Sequence, residues 1–458
     1  MWVLIYLIIF IGYIGGNSNC VTKEDNRVKL TKHIAYELDN KEFTSHSKDG
    51  LKGVFTRNRK LPIKNLIILI MSSSKALQRD LDHFFKSMNR SDFSIREVTK
   101  GAFTQARAKL NPWAFKRLNE VAIESFYTDN EVYTWHEMRT LSVDGTRLVL
   151  PNHSSIKEEF GIHKFGPKAD SERSLALCSV LYDVLNLVCV DSQMAPYASS
   201  ERDLLYKHLD YMHKDDLLLL DRGYPSMALF FLLFAKGIHF CVRMKDNWWL
   251  EVDKFAKSKD KERLVQFKLP RKDKNLLENY PQWQDVEITC RLIKVMLPNG
   301  EYEVLCTSLI DSEKYLYEDF SELYHYRWNE EEAYKLLKCR VEVENFSGKT
   351  ANAVKQDFYA KVFLMTLCAA YSFPIDEKVR EEYKADENRK YDQKINRTGA
   401  VAMTREILIS VFIRKDFKSA LQAFDRVVSN TREIIRPGRS EPRKHQPKKL
   451  YSMNYKKL

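Results

Sequence analysis

Three carboxylates and a stripe of cations are the side chains in this sequence whose spacing could do chemistry. Asp144 lies in Leu141-Ser-Val-Asp-Gly-Thr146, where strand alternation puts Leu141 and Val143 on one face and Ser142 and Asp144 on the other. Asp221 ends an apolar run, 217–220, and is followed by Arg222-Gly-Tyr-Pro225. A carboxylate at the carboxyl end of a buried strand, just ahead of a helix, stands where α/β sheets place their ligands. Either aspartate alone could equally cap a turn or a helix. The third element is Tyr324, Arg327, Glu331 and Lys338, spaced by three, four and seven residues. At ~100° per residue they fall within roughly 60° of one another on a helix, and Lys335 extends the stripe. The same geometry turns Glu330 and Glu332 away, selecting Glu331 from three consecutive glutamates. Mixed charge along a helix face is usually a solvated surface laced by ion pairs. Trp328, Leu336 and Leu337 on the other faces require this helix to pack as well, which fits a core-facing acid flanked by cations.

Three convergent carboxylates repel one another unless they are protonated or bound to cations. Oxygen donors with no neighbouring His/Cys set suit Mg²⁺ or Mn²⁺ rather than zinc. Two such ions ~4 Å apart can activate a water or a 3′-hydroxyl and stabilise the leaving oxygen of a phosphodiester. Arginine and lysine beside the acid would hold phosphates, and Tyr324 or Trp328 could stack on a displaced base.

Length and composition bound the scaffold that must position these groups. At ~150 residues per domain, 458 residues allow about three units and a sizeable core. With 44% hydrophobic and 30% charged residues, the chain suits a soluble globular protein and not a disordered chain, a collagen or a polytopic membrane protein. Lys plus Arg number 74 against 62 acids, a formal +12 that favours polyanionic partners, nucleic acid first. A soluble enzyme that happens to be basic has the same balance. None of the eight cysteines forms a C-x-x-C pair, and most lie in apolar runs such as 177–181 and 240–242. They read as small buried hydrophobes in a reducing compartment. Residues 1–14 are almost wholly apolar, yet shorter than the ~20 of a membrane span and without the basic start of a secretory signal. They are expected to lie outside the working fold, a signal peptide or single anchor being the alternative.

From 51 to about 127 the pattern is helical. Pro62 is placed to open a helix with the apolar run 66–71, and Ser94-Ile-Arg-Glu97 has the form of a capping box. Val98, Ala102, Ala106 and Leu110 recur at four-residue steps, with Lys100, Gln105, Arg107 and Lys109 off that stripe. Such a helix offers cations to phosphates, or is simply amphipathic with a solvated face. Residues 139–150 alternate as a strand, 174–183 and 186–194 suggest a hairpin, and 216–220 suits a central strand. A helix at 226–236 and a strand at 239–244 complete an α/β alternation. Strand-like 264–269, 286–296 and 302–309, with Pro298-Asn299-Gly300 as a hairpin turn, read as a β-rich insertion interrupting that core. Helical texture resumes at Tyr317 and runs through 358–371. The tail 436–458 carries eight Lys and Arg against Glu441, with three prolines, and is expected to contact phosphates, a merely solubilising terminus being the alternative.

Taken together, the chain resembles the bacterial insertion-sequence transposases with a DDE active site, in the branch marked by a Y-x2-R-x3-E-x6-K signature. Tyr324, Arg327, Glu331 and Lys338 match every position, and Asp144 in Asp-Gly-Thr and Asp221 in Asp-Arg-Gly-Tyr match the first and second aspartates. Ala102-Phe-Thr-Gln-Ala-Arg107 is similar to the family's amino-terminal segment, and the resemblance runs from about Arg57 to Arg443. It implies a ribonuclease H-like core in which Asp144, Asp221 and Glu331 are catalytic and hold two Mg²⁺ or Mn²⁺ ions. It implies cleavage at transposon ends, strand transfer into target DNA, and two subunits working on paired ends. Tyr324, Arg327 and Lys338 are the implied contacts to end DNA, with Lys335, Trp328, Arg222 and Arg107 expected beside them.

The expected fold is α/β: a ribonuclease H-like mixed-sheet core interrupted by a β-rich insertion, with a helical N-terminal region and a basic C-terminal tail. The expected divisions are an apolar leader (1–20), a helical DNA-binding region (21–130), the first part of the core (138–246), the insertion (247–316), the part with the Glu helix (317–372), and a C-terminal helical region and tail (373–458). Partners are terminal inverted repeats, target DNA and a second copy of the chain, in the cytoplasm at the nucleoid, with no stable membrane partner. A metal-dependent nuclease of the same fold and a non-catalytic DNA-binding derivative are the alternatives. Retention of all three acids disfavours the second.

Overall fold

The computed structural model describes residues 24–48, 51, 53–55, 60–73, 77–165, 171–270, 278–297 and 300–436. The apolar segment 1–14, Cys20, Pro298-Asn299 and the basic tail from Pro437 onward lie outside the described residues.

The strands are β1 (Thr140–Val149), the short pair β2 (His163–Phe165) and β3 (Ser171–Arg173), β4 (Leu175–Asp183), β5 (Val188–Pro196), β6 (Leu217–Leu220), β7 (His239–Arg243), β8 (Glu262–Lys268), β9 (Glu287–Met296), β10 (Tyr302–Thr307), β11 (Gln393–Ile395) and β12 (Arg432–Ile434). Eight of them form one sheet in the order β5-β4-β1-β6-β7-β10-β9-β8. β5, β4 and β1 are antiparallel, while β1, β6 and β7 run parallel, the mixed arrangement of a ribonuclease H-like core. Every residue of β4 and β6 is buried, as their continuous apolar runs require of strands covered on both faces.

The β-rich stretch that follows β7 joins the core sheet directly. β10 pairs with β7, Leu305 opposite Arg243 and Thr307 opposite Cys241, so the insertion extends the core sheet. Left alone, β7 would present Phe240, Cys241 and Val242 beside an unpaired backbone edge, which sheets avoid.

The helices are α1 (Asn26–Asp39), α2 (Lys41–His46), α3 (Ile63–Ser72), α4 (Leu77–Asn89), α5 (Lys100–Arg107), α6 (Trp113–Asp129), α7 (Ser154–Phe160), α8 (Glu201–His208), α9 (Met227–Lys236), α10 (Leu250–Lys257), α11 (Asp319–His325), α12 (Trp328–Cys339), α13 (Ala351–Glu382), α14 (Arg397–Leu408) and α15 (Phe417–Asn430). Pro62 caps α3 and Ser226 caps α9, as their positions in the sequence suggest. Ser94–Glu97 is not a capping box: α5 starts at Lys100 under Thr99, whose hydroxyl accepts from Ala102 N–H, and Glu97 instead pairs with Lys60 at 2.7 Å. The buried face of α5 is also displaced from the expected stripe, with Phe103 and Arg107 buried and Ala102 exposed.

α13 is long and apolar enough to cross a membrane by length and composition, and 78% of its most apolar window is buried in this fold. It packs on β5, α6, α3 and α14, serving as the central helix of the core. One contiguous apolar core runs from Leu30 in α1 to Val428 in α15, so the N-terminal helices share the core of the sheet.

Candidate active site

The site begins where β1 loses a neighbour. β1 pairs with β4 along its length, Asp144 opposite Val180, but with β6 only from Thr140 to Ser142. Beyond Ser142 one edge of β1 is therefore open, beside the carboxyl end of β6 where Asp221 leaves the sheet. Both aspartates thus belong to the same notch, at the strand end where open α/β sheets bind ligands.

Tyr334 of α12 anchors Asp144. Its hydroxyl donates to the Asp144 carbonyl at 2.6 Å and accepts from Val180 N–H at 3.0 Å, bridging β1 and β4 at this register. Tyr334→Phe would leave both backbone groups unpaired, with an expected stability loss of ~1–3 kcal/mol in urea unfolding and slower catalysis. Native stability in that variant would show that the hydroxyl does not hold the strands.

Tyr324 of α11 does the same for Asp221. It is 5% exposed, and its hydroxyl donates at 3.3 Å to the carbonyl of Leu220, the residue before Asp221. Asp221 Oδ1 is buried with no hydrogen-bond partner. Arg327 is the hub of the site: its Nη2 lies 3.1 Å from Glu331 Oε1. Burial alone would lower the Arg327 pKa, but Tyr324, Asp221 and Glu331 around it hold it above the ordinary value. Asp144 also feels Arg327, yet burial, with Glu201 and Asp221 nearby, pushes the Asp144 carboxyl up to about 6.

Glu330 corrects the helical-wheel reading. It is fully buried and accepts a hydrogen bond from Ser142 Oγ, and burial, with Asp144 close, pushes its carboxyl well above the usual range. The signature is not one straight helix: Tyr326 and Arg327 form a turn between α11 and α12. The packed face of α12 is Glu330, Ala333, Tyr334 and Leu337, which leaves Glu331 on the flank of that face, its side chain 30% exposed. Among the described residues, no three acid, histidine or cysteine side chains close into a metal-holding group. The donor chemistry nonetheless fits hard divalent ions: the orphaned Asp221 oxygen and a surplus of neighbouring carboxylates call for a cation.

The expected DNA contacts divide into two sets. Trp328, at 47% exposure, Lys335 and Arg222 face outward, and Lys338 lies beside them with Nζ 3.2 Å from the Arg147 carbonyl. Tyr324 and Arg327 instead turn inward, where their bonds organise the acids, so neither offers a surface to DNA in this arrangement. Arg107 is a clear correction. It is 2% exposed and donates to Gln356, Ser347, the Ala353 carbonyl and Asp357, the last at 3.0 Å. A guanidinium with its donors satisfied inside the core is a structural tie, not a phosphate contact.

Sequence reasoning missed Glu201, Glu330, Tyr224 and Tyr334 at this notch. Ser200-Glu-Arg-Asp203 does encode the start of α8, and the capping box forms. Nothing local in that tetrapeptide connects Glu201 to Asp144.

A family model described as "Transposase DDE domain" matches residues 135–368. The chain is 22% identical over 331 residues to "Transposase InsG for insertion sequence element IS4" of Escherichia coli (strain K12), covering 69% of this chain and 70% of that protein. Its fold aligns with a TM-score of 0.45 and 11% identity to a cryo-EM structure of the piggyBac transposase synaptic complex with hairpin DNA, over 94% of this chain and 90% of that one.

Proposed function

The chain belongs to the transposase DDE-domain family, and from that premise we propose that it cleaves the ends of its own mobile element and joins the freed 3′-hydroxyls to target DNA. The family acts on DNA and uses divalent metal ions. In our reading Asp144, Asp221 and Glu331 hold two of them, Mg²⁺ or Mn²⁺. The observation that carries it is the shared arginine: Arg327 pairs with Glu331 at 3.1 Å and lies within electrostatic reach of Asp221 and Asp144, at the notch where β1 and β6 part. Bound there, the ions would supply the positive charge that activates the attacking oxygen and stabilises the leaving one in phosphodiester displacement.

The chain's own groups set the stage for that chemistry. Tyr334 and Tyr324 fix the backbone of the two aspartates, and Arg327 supplies the countercharge for Glu331. Trp328, Lys335, Lys338 and Arg222 flank the acids, where the cations meet phosphates and the indole stacks on an unpaired base. Lys335→Ala and Lys338→Ala are each expected to weaken binding to end duplexes and to make the salt dependence shallower by about one phosphate. An unchanged slope would remove those lysines from the interface. Paired ends call for two copies of the chain, acting at the nucleoid in the cytoplasm.

A gel assay with pre-cleaved ends, target DNA and Mg²⁺ tests the assignment. Joined products are expected. Cleavage without joining would make the protein a nuclease, and binding with neither would make it a non-catalytic DNA-binding protein.

A further inference from the structure

We propose that Glu201 is a fourth carboxylate of this centre, giving an oxygen to the divalent cation held by Asp144 and Asp221; the inference rests on the assignment of those two aspartates as ligands. Glu201 opens α8, a helix fixed to the sheet by His208. The His208 ring lies fully buried between Asp191 Oδ2, at 2.7 Å, and Ser179 Oγ, at 3.0 Å. From the first turn of that anchored helix the Glu201 side chain reaches across two glycines. A Cβ on Gly145 would lie 2.6 Å from Glu201 Cγ and 2.7 Å from its Oε1, and a Cβ on Gly223 would lie 3.9 Å from its Oε2. Gly145 follows Asp144 directly and Gly223 stands two residues after Asp221. One carboxylate therefore rests against both segments that carry the catalytic aspartates, in space that any side chain at 145 would fill.

A second observation points to a ligand in that space. Tyr224 is 1% exposed, and its hydroxyl has no hydrogen-bond partner, like the nearby Asp221 Oδ1. The charges this phenol feels are those of Glu201, Asp144, Glu330 and Asp221. Buried oxygens left unpaired among like charges are what a hard cation resolves. An acid in the first turn of a helix also answers the helix dipole. Here Ser200 and Asp203 already cap α8 through a complete capping box, and no hydrogen bond ties the Glu201 carboxylate to the helix end among the described residues.

Mn²⁺ titration of the full chain without DNA, followed by electron paramagnetic resonance, tests the proposal. Glu201→Gln keeps size and removes charge, and is expected to weaken Mn²⁺ binding on the order of tenfold or more. Gly145→Ala leaves every acid in the sequence but pushes the Glu201 carboxylate aside, and a comparable loss is expected; circular dichroism checks both folds. Asp144→Asn is the control. Native Mn²⁺ binding in Glu201→Gln and Gly145→Ala, with loss in Asp144→Asn, would overturn the role of Glu201 and leave the aspartates as ligands. Native binding in Asp144→Asn as well would overturn the ligand assignment itself.

Discussion

Asp144→Asn, Asp221→Asn and Glu331→Gln are each expected to cut Mg²⁺-dependent end cleavage by on the order of a thousandfold or more, since a lost metal contact removes several kcal/mol of transition-state stabilisation. End-duplex binding should change little, because the outward cations are untouched. Glu330→Gln is the informative neighbour. Burial and the adjacent Asp144 push the Glu330 carboxyl well above the usual carboxylate range, and a glutamine preserves its shape and can still accept from Ser142. Cleavage should survive that change. Single-turnover rates on a labelled end duplex separate the two glutamates, and loss in Glu330→Gln with activity in Glu331→Gln would exchange their roles.

Arg107→Ala is expected to destabilise the fold by ~3–5 kcal/mol, the cost of leaving a buried charge without its partner. The charge left behind is Asp357, which lies inside the core and keeps its hydrogen bonds from Ser347. Burial pushes the Asp357 carboxyl up, but Arg107, Lys361 and Ser347 together hold it below the usual carboxylate range. The folded-state pKa is depressed, so this contribution is present above the unfolded-state value and is lost as pH falls through the folded one. Urea unfolding at neutral pH and at acid pH measures both effects. A variant of nearly native stability, with a shallower salt dependence of DNA binding, would return Arg107 to the phosphate interface.

The sequence was legible where one period dominated. β1 alternates, β4 and β5 read as a hairpin, and β6 is an unbroken apolar run, so Asp144 on the polar face of a strand and Asp221 at the end of a buried one followed from local pattern. Long-range pairing was not legible. β7 meets β10 across some 60 residues of intervening chain, and no local signal records that the insertion pairs with the core sheet there. Arg107 looked like a surface cation because its carboxylate partner lies 250 residues further on. Glu330 and Glu331 differ by one helical step, and the turn at Tyr326-Arg327 rotates α12 so that Tyr334 and Leu337, with Glu330 beside them, take the packed face. Glu201 carried a helix-start signal only.

The most direct test is anomalous diffraction from crystals of the protein with end DNA and Mn²⁺. Manganese density between Asp144 and Asp221, with Glu331 turned from Arg327 toward it, is the predicted result. Manganese bound away from these aspartates, with Glu331 still paired to Arg327, would contradict it.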